Sequence, residues 1–543
     1  MIKEFKLEIL EDPKVFMQNR LKAHSNHKYF ANHKEALENQ SSFRQLLNGT
    51  WRFKFDTCVE EAVARKFYTK DFDYTAFDFI QVPGHFELQG YGKPHYTNVS
   101  YPWDGFEIVK PGQIAKHSNV VGSYLRTFSV PKNFSNTFIC FDGVDSAFAL
   151  WLNGHYVGYS TDSCSKAHFD LTPFVTEGEN RLCVQVFKYS SGSLLEDQDF
   201  FRFSGIFRDV YLYTKPSIHL EDLFVKTTLK DNYQSALIKL DTEYSSLNGS
   251  VHVTFKDRDG KVVFNTTKAL KDNLEFELSN IHLWSAEKPY LYNLELEILD
   301  ENKNLCEVVT QKVGLREFKL INKLMCLNGK RIVFNGVNRH EFFPETGRVL
   351  PNKEALVKDL LIMKDLNINA IRTCHYPNNE LIYDLCDELG FYVIDETNLE
   401  THGTWQQNGV DLKDSKDILP HNDERYLDAV IARGQAMLER DKNHPCVIIY
   451  SCGNESFGGS VIYALSQYFK QRDNSRLVHY EGLFHDRSFN DTSDMESQMY
   501  TSVENIQKFL AQDNSKPFIC CEYAHAMGNS CGSTDEYTRL WDK

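Results

Sequence analysis

The sequence has no hydrophobic run long enough to cross a membrane, and its first residues have no apolar stretch. The opening segment, Met1-Ile2-Lys3-Glu4-Phe5-Lys6-Leu7-Glu8, interleaves charged and apolar residues, unlike the apolar centre of a secretory signal. Basic residues are also outnumbered, because 60 Lys and Arg face 75 Asp and Glu and the net charge is −15. These features predict a cytoplasmic protein that binds neither nucleic acid nor an anionic membrane, and they favour a neutral or cationic ligand.

The chain also lacks a Cys-x-x-Cys pair, although it contains 13 cysteines. An odd number of scattered cysteines, such as Cys140, Cys164 and Cys306, suggests neither a disulfide framework nor a zinc knuckle. We expect reduced, buried thiols that pack like small apolar side chains. The neighbours Cys520 and Cys521 would point to opposite faces of a strand, which favours packing over a redox role.

At 543 residues the chain exceeds what one hydrophobic core organises, so we expect several domains. Residues 1–215 consist of short runs rich in Val, Phe, Tyr and Trp between turn signals such as Asn48-Gly49 and Asn153-Gly154. This pattern predicts a jelly-roll β-sandwich of the lectin-like, sugar-binding type. Residues 216–321 keep an alternating pattern over about 100 residues, a length that suits an immunoglobulin-like β-sandwich.

Residues 322–543 alternate apolar strands with amphipathic helical segments, which predicts βα units and a parallel sheet. Helices are predicted at 353–365 and 424–440. Seven strands can be drawn where a (β/α)₈ TIM barrel needs eight, so we expect a barrel that is truncated before its last strand. The predicted strands are 331–335, 368–372, 391–395, 446–451, 477–480, a weak one at 498–500, and 518–521.

Two glutamates follow apolar strands of this predicted barrel. Glu455 comes after the run 446–451, and Glu522 ends the run 518–521. Residues just past the carboxyl ends of barrel strands line the catalytic face, so both carboxylates are predicted to face one mouth. Such a pair suits glycosidic bond cleavage, where one group protonates the leaving oxygen and the other attacks the anomeric carbon or activates water. The alternative is that each is an ordinary salt-bridged residue at a strand end.

A third polar cluster, Glu400 and His402, follows the apolar strand 391–395. In an extended stretch these two side chains share a face and could bind one cation together with a further carboxylate. More polar side chains gather at predicted strand ends in the runs 338–341 and 372–378, and sugar pockets need convergent groups of this kind. Each histidine there could equally be a structural one.

The chain resembles the bacterial β-galactosidases of glycoside hydrolase family 2 from about residue 40 to its last residues. The segments that carry the resemblance are Thr97-Asn98-Val99, Glu196-Asp197-Gln198-Asp199, Ser204-Gly205-Ile206-Phe207-Arg208-Asp209-Val210, Gly336-Val337-Asn338-Arg339-His340-Glu341, Glu400-Thr401-His402-Gly403, Arg440-Asp441-Lys442-Asn443-His444-Pro445, Gly453-Asn454-Glu455-Ser456 and Cys521-Glu522-Tyr523-Ala524-His525-Ala526-Met527-Gly528-Asn529-Ser530.

The resemblance implies a retaining β-galactosidase that cleaves terminal β-D-galactosides such as lactose by double displacement. Glu455 would be the general acid/base, and Glu522 would be the nucleophile that forms a covalent galactosyl-enzyme. Glu400, His402 and Glu455 would hold Mg²⁺. The further implied residues are Asn454, His375, His525 and Asn98 for substrate binding, His340 for the distorted transition state, Tyr500 as hydrogen-bond donor to the nucleophile, and Asp199 for the 6-hydroxyl group and a sodium ion.

The resemblance also favours galactoside over glucuronide. Relatives that act on glucuronides carry a proline after the acid/base glutamate and lack the run that follows Glu522, whereas this chain has Ser456 and the full run. Two alternatives stay open: a family 2 hydrolase for another β-glycoside, and an inactive chain that needs a complementing polypeptide. A homo-oligomer or a complementing subunit is expected. We expect residues 1–543 alone to associate and to show little activity, because an open barrel would expose its edges.

Overall fold

The computed structural model describes residues 2–407, 410–411, 416–525 and 532–542. The N-terminal part forms a sandwich of two antiparallel sheets, as the sequence predicted. In spatial order, the larger sheet contains Met17–Gln18, His155–Ser160, Ala147–Leu152, Glu179–Phe187, Val121–Ser129, Gly49–Asp56 and Asp78–Val82. The smaller sheet contains Ala167–Asp170, Phe138–Phe141, Val210–Tyr213 and Arg44–Leu46. Two short antiparallel strand pairs lie outside these two sheets: Tyr96–Thr97 with Phe200–Phe201, and Val144–Asp145 with Gly205–Ile206.

Apolar side chains from both sheets fill the space between them. Trp51, Phe53 and Leu182 come from the larger sheet, Phe141 comes from the smaller one, and all four are buried. The predicted turn at Asn153-Gly154 joins two neighbouring strands, with φ of 54° and 89° at its two residues. Positive φ at both central positions is what a two-residue hairpin turn requires, so the Asn-Gly signal fixes this register.

A second sandwich follows, also as predicted. Its three-stranded sheet contains Leu220–Lys230, Ser235–Tyr244 and Leu274–Ser279. Its five-stranded sheet contains Lys28–Phe30, Leu305–Val313, Tyr292–Leu299, Ser250–Lys256 and Val262–Ala269. Buried and partly exposed residues alternate along Tyr292–Leu299, so one face of this strand packs toward the core. Lys28–Phe30 reaches this sheet from the N-terminal segment, a long-range pairing that no local pattern indicates.

The C-terminal part contains parallel strands separated by helices, the arrangement of a TIM-barrel domain. Five parallel strands form one sheet in the order Gly336–Asn338, Ala370–Arg372, Tyr392–Glu396, Val447–Ser451 and Leu477–His479. Glu496–Met499 and Phe518–Glu522 form a second parallel pair. Between the two groups, His479 Nε2 lies 2.7 Å from Ser497 Oγ, and Asn338 Nδ2 donates to the carbonyl of Cys521 at 2.9 Å. The remaining strands are Phe318–Ile321, Leu324–Leu327, Lys330–Arg331, Gln406–Gln407 and Val410–Asp411.

The first predicted barrel strand, 331–335, is wrong in position. Lys330–Arg331 instead pairs antiparallel with Leu324–Leu327, and the first parallel strand is Gly336–Asn338. The cause is the turn Asn328-Gly329, whose φ angles of 51° and 77° fold residues 324–331 into a hairpin. Consequently the chain enters the barrel five residues later than the apolar pattern suggests.

The helices agree well with the hydrophobic periodicity. The prediction at 353–365 is confirmed, and the prediction at 424–440 corresponds to Leu427–Asp441. Asn352 is the N-cap of the helix Lys353–Asp365, because its side chain accepts a hydrogen bond from the backbone N–H of Ala355. The α-helices are His33–Glu38, Val59–Ala64, Lys353–Asp365, Glu380–Leu389, Leu427–Asp441, Ser460–Arg472, Val503–Gln512 and Thr534–Trp541. Short 3₁₀ turns span Leu7–Leu10, Glu87–Gln89, Ser191–Leu195, His402–Thr404, Gly482–Phe484 and Arg487–Thr492.

None of the helices in these ranges has both the length and the apolar character that a membrane crossing needs. The cysteines in the same ranges are all free, and most of them are buried, which confirms the expectation of packed thiols for this part of the chain.

Candidate active site

The carboxyl ends of the parallel strands open into one cavity of about 990 Å³. Arg372, Glu396 and Glu522 are the last residues of three of these strands, and Tyr500 directly follows a fourth. Parallel strands bring their carboxyl ends to one edge, so side chains that are distant in sequence converge there. The predicted site residues that line the cavity are Asp199, His340, His375, Glu400, Glu455, Tyr500, Glu522 and His525.

Three side chains surround the carboxylate of Glu522. Arg372 Nη1 donates to Oε1 at 2.8 Å, and the hydroxyl group of Tyr500 donates to Oε2 at 2.5 Å. His375 Nε2 lies 3.7 Å from Oε1. Tyr500 is in turn 3.0 Å from His525 Nδ1. Glu522 is therefore held in one orientation by a cation and a hydroxyl donor.

Glu455 has a different environment. Its Oε2 accepts a hydrogen bond from His402 Nδ1 at 3.0 Å, and its backbone N–H donates to Glu481 Oε1 at 2.9 Å. The backbone of Glu455 has φ of 28°, in the left-handed region that non-glycine residues rarely adopt, and such strain is common at functional sites. Both carboxylates are thus ion-paired, Glu455 with His402 and Glu522 with Arg372, and both line the cavity.

Glu400 is fully buried, and its Oε1 lies 3.3 Å from His402 Nδ1, the same nitrogen that contacts Glu455. Ligand atoms of Glu400, His402 and Glu455 all lie within 4.8 Å of one another. Burial and the nearby Glu455 charge raise the pKa of Glu400 to about 7, whereas the charges of His375 and His402 oppose this rise. Two carboxylates that share a single imidazole in a buried cluster fit a cation, so these three residues form a candidate metal centre.

A loop of the first sandwich reaches into this cluster. The backbone of Glu400 bonds to Leu195 and Asp197, and Asp197 Oδ2 accepts from the backbone of Gly403 at 2.8 Å and lies 3.5 Å from His402 Nε2. A Cβ at position 403 would collide with Asp197 and Tyr101, so only glycine allows this approach. The first sandwich thus orients one of the candidate ligands.

Two further predicted residues of that sandwich lie at the edge of the site. Asp199 lines the cavity, and its Oδ1 accepts from the hydroxyl group of Tyr96 at 2.5 Å. Asn98 is exposed, and its contact with the site is its main-chain carbonyl, 3.1 Å from His402 Nε2. Of these two residues, Asp199 reaches the site through its side chain and Asn98 through its backbone.

The remaining predicted residues form one wall of the cavity. His375 donates from Nδ1 to Glu396 at 2.7 Å, which turns Nε2 toward Glu522. Asn454 Oδ1 accepts from Arg372 at 2.8 Å, and its side chain also acts on Glu400 through a hydrogen bond. The ring of His340 stacks on Phe200 and meets His375 edge-on. Burial and neighbouring positive charges lower the pKa of His340 to about 3, so its imidazole is neutral.

Arg372 and Glu396 organise this wall; the sequence placed Arg372 only within the polar run 372–378 and gave no role to Glu396. Arg372 is buried and donates to Glu396, Asn338, Asn454 and Glu522. Burial raises the pKa of Glu396, but Arg372 and His375 outweigh that effect and hold the pKa at about 2. Glu396 ends an apolar strand, the same signal that identified Glu455 and Glu522, so the pattern could have found it.

The site brings together a firmly held carboxylate, a second carboxylate next to a candidate metal centre, and several polar side chains that line the same cavity. Glu522 is suited to attack carbon, and Glu455 is suited to exchange a proton with a leaving oxygen or with water. The segment 526–530, part of the run used in the sequence analysis, lies outside the described residues.

Three consecutive segments of the chain match three domain models of one protein family. Residues 43–216 match the sugar binding domain of glycosyl hydrolases family 2, residues 218–316 match glycosyl hydrolases family 2, and residues 318–543 match the TIM barrel domain of that family. Together these matches cover nearly the whole chain.

Named relatives are similar over the same span. A β-galactosidase of Halalkalibacterium halodurans is 51% identical over 98% of this chain, which spans 53% of that protein. A β-galactosidase large subunit of Lactobacillus acidophilus is 41% identical over 98% of this chain and 88% of its own. The solved β-glucuronidase of Ruminococcus gnavus matches with a TM-score of 0.75 at 20% identity, covering 93% of this chain and 90% of that one, which shows a common fold.

Proposed function

This chain belongs to glycosyl hydrolases family 2, and we propose that it carries the catalytic site of a retaining β-galactosidase that hydrolyses terminal β-D-galactosides such as lactose. The observation that carries the proposal is the pair Glu455 and Glu522, which line one cavity in two different environments. The relatives named β-galactosidase, at 41% to 51% identity, support galactose as the sugar.

In the first half of the reaction, Glu455 gives a proton to the glycosidic oxygen while an oxygen of Glu522 attacks the anomeric carbon. The bond to the leaving group breaks, and an ester forms between Glu522 and the galactosyl group. In the second half, Glu455 takes a proton from water, the water oxygen attacks the same carbon, and the ester breaks. Two inversions leave the anomeric configuration unchanged.

The polar residues of the cavity have separate tasks in this proposal. Arg372 and Tyr500 orient Glu522 for attack, and Tyr500 is itself positioned beside His525. Asn454 and His375 offer donors to sugar hydroxyl groups, and the neutral His340 favours the distorted ring of the transition state. His525, Asn98 and Asp199 complete the substrate-binding set.

We further propose that Glu400, His402 and Glu455 hold Mg²⁺, because the buried Glu400 and the nearby Glu455 offer the carboxylate oxygens that a hard cation prefers. When bound, this ion fixes the Glu455 carboxylate and tunes its affinity for a proton. Asp199 would supply a carboxylate oxygen to Na⁺ at the cavity wall. Domain limits at 215 and 321 belong to the same proposal, with the first sandwich contributing Asn98 and Asp199 to the barrel site.

We propose that this chain works with a complementing subunit or as a homo-oligomer, and the relative named as a large subunit supports the first of these. The free, buried cysteines support a reducing compartment such as the cytoplasm. Native mass spectrometry of the active enzyme would identify its subunits directly. A species that is active and contains one copy of this chain and no other polypeptide would contradict the proposed assembly.

The substrate assignment is tested with a panel of aryl β-glycosides that share one leaving group. We expect the galactoside to have the highest kcat/KM and the glucuronide to have the lowest, and we expect Glu522→Gln to abolish hydrolysis of all of them. A higher kcat/KM for another sugar would assign the chain to a different β-glycosidase of this family. Activity that survives in the Glu522→Gln variant would reject the proposed nucleophile.

A further inference from the structure

Three side chains on one wall of the cavity form a cluster that the proposed reaction does not explain. His340, Cys374 and His375 line the cavity, and one ligand atom of each lies within 4.8 Å of the others. The reaction uses the two histidines, but it has no task for a thiol. We propose that His340, Cys374 and His375 are a second metal site, which binds a borderline divalent cation such as Zn²⁺ in competition with the sugar.

The orientation of His375 suits a ligand. Its Nδ1 donates to Glu396 at 2.7 Å, so the lone pair available to a metal is on Nε2, which faces the cavity beside Glu522. Ligating histidines usually donate their other ring nitrogen to a carboxylate in this way, which fixes the ring and strengthens the ligand. Glu396 therefore already occupies the supporting position.

The other two ligands are also fixed by their surroundings. The ring of His340 stacks on Phe200 with centroids 5.2 Å apart, and its Nδ1 lies 3.3 Å from the hydroxyl group of Tyr376. Cys374 is only 1% exposed and is adjacent in sequence to His375. All three side chains are already ordered by their surroundings, so little side-chain entropy is lost when the metal ion binds.

The distances are compatible with zinc after small movements. Zn–S bonds of about 2.3 Å and Zn–N bonds of about 2.0 Å place neighbouring ligands of a tetrahedral ion roughly 3.5 Å apart. Closing the cluster from within 4.8 Å requires shifts of about 1 Å. Glu522 Oε1, 3.7 Å from His375 Nε2, is close enough to become the fourth ligand. Binding releases the thiol proton of Cys374, and any proton on the two ligating ring nitrogens, to solvent.

Ligand chemistry separates this site from the candidate Mg²⁺ centre. Glu400 and Glu455 supply carboxylate oxygens, which hard ions prefer, whereas a thiol and two imidazoles prefer Zn²⁺ or Cu²⁺. Mg²⁺ should therefore fill one centre and leave the other open. The inhibitory consequence rests on the proposed function: an ion bound to His340, His375 and Glu522 occupies the place of the sugar and blocks the nucleophile.

Co²⁺ is the probe for the site itself, because thiolate ligation to Co²⁺ produces a charge-transfer absorption that oxygen and nitrogen ligands do not. The full chain is titrated with Co²⁺ in the presence of excess Mg²⁺. We expect this absorption to saturate at one Co²⁺ per chain and to disappear when Zn²⁺ is added. It should be absent from Cys374→Ser and present in Glu400→Gln.

A second cysteine-containing cluster provides the matched control. Ligand atoms of Asp387, His444 and Cys446 also lie within 4.8 Å of one another, but that cluster is fully buried and is not part of the cavity lining. Cys446→Ala should therefore keep the cobalt absorption. No thiolate absorption in the parent chain, or its persistence in Cys374→Ser, would overturn the proposal. Circular dichroism of each variant confirms that its fold is retained.

Kinetics test the consequence separately. With a galactoside as substrate, Zn²⁺ should inhibit competitively, and Cys374→Ser should raise the inhibition constant about tenfold or more, since loss of a ligand weakens binding at least as much as loss of its supporting residue. Inhibition that is non-competitive, or unchanged in Cys374→Ser, would contradict the competition. If the active assembly hydrolyses no glycoside, the proposed function fails, and the cobalt titration of this chain still decides whether the metal site exists.

Discussion

Arg372 Nη1 donates a 2.8 Å hydrogen bond to Oε1 of Glu522, across 150 residues of sequence. The same guanidinium group also bonds to Glu396 and Asn454. Arg372→Lys keeps the charge but loses the planar fork that reaches several acceptors at once. We therefore expect kcat in the active enzyme to fall about 100-fold, comparable to the loss of one preorganised donor in other enzymes.

The control is Arg339→Lys. Arg339 is also buried in the barrel and pairs with Asp359 at 2.7 Å, but it does not line the cavity. This variant should lose stability without a matching loss of kcat. Arg372→Lys with parent-like kcat would mean that the contact with Glu522 has no part in catalysis.

The role of Glu455 is tested by Glu455→Gln. We expect the loss of kcat to be largest for substrates with poor leaving groups, because these need a proton from the acid, and smallest for activated aryl galactosides. Azide should partly restore turnover of the activated substrates and give β-galactosyl azide, since a small anion needs no general base. An equal loss for all leaving groups would remove Glu455 from proton transfer.

Metal binding is tested by chelation and by thermal stability. A chelator should lower activity and Mg²⁺ should restore it, and Mg²⁺ should also raise the Tm of the chain, because binding stabilises only the folded state. Glu400→Gln removes a ligand charge, so its Tm should respond to Mg²⁺ far less than that of the parent. Parent-like sensitivity to the chelator in this variant would contradict the ligand set Glu400, His402 and Glu455.

A buried ion pair outside the cavity lining predicts a pH-dependent stability. His444 Nδ1 lies 2.6 Å from Asp387 Oδ2; burial lowers the pKa of His444, but the Asp387 charge and hydrogen bond outweigh it and raise the pKa to about 9. Since this pKa is above the ordinary 6.5, the ion pair adds its full contribution to the free energy of unfolding below pH 6.5. That contribution is lost as the pH rises through about 9. The stabilisation from this pair is on the order of 3 kcal/mol.

His444→Gln should accordingly remove part of the decline in Tm between those two pH values. His117→Gln is the control, because the His117 side chain is 85% exposed. A parent-like decline in His444→Gln would show that this pair does not contribute to the pH dependence.

The sequence predicted the fold where local signals are strong. Helix 353–365 was predicted from its periodicity, and Asn153-Gly154 identified a hairpin because its residues tolerate positive φ. The same signal at Asn328-Gly329 turns the chain into a hairpin, and the first barrel strand therefore lies later than its apolar pattern predicts. The pairing of Lys28–Phe30 with Leu305–Val313 joins segments far apart in the chain, so it depends on tertiary packing alone.

The site divides in the same way. Glu455 and Glu522 could be predicted because each follows an apolar strand. The carboxyl ends of parallel barrel strands meet at one face, which places both residues in one cavity. The organising role of Arg372 could not be found, because it depends on four acceptors that come from separate strands and loops. Likewise, the contact of Asp197 with Gly403 depends on packing between a sandwich loop and the barrel, and no periodic pattern encodes it.

The central claim, that Glu522 is the nucleophile of a retaining galactosidase, is tested most directly by trapping the covalent intermediate. An activated 2-deoxy-2-fluoro-β-galactoside slows both steps but still forms the ester, because its good leaving group favours the first step. Peptide mass spectrometry of the inactivated enzyme should then find one fluorogalactosyl group on Glu522. A label on any other residue, or an unlabelled enzyme that hydrolyses galactosides with inversion, would contradict the account.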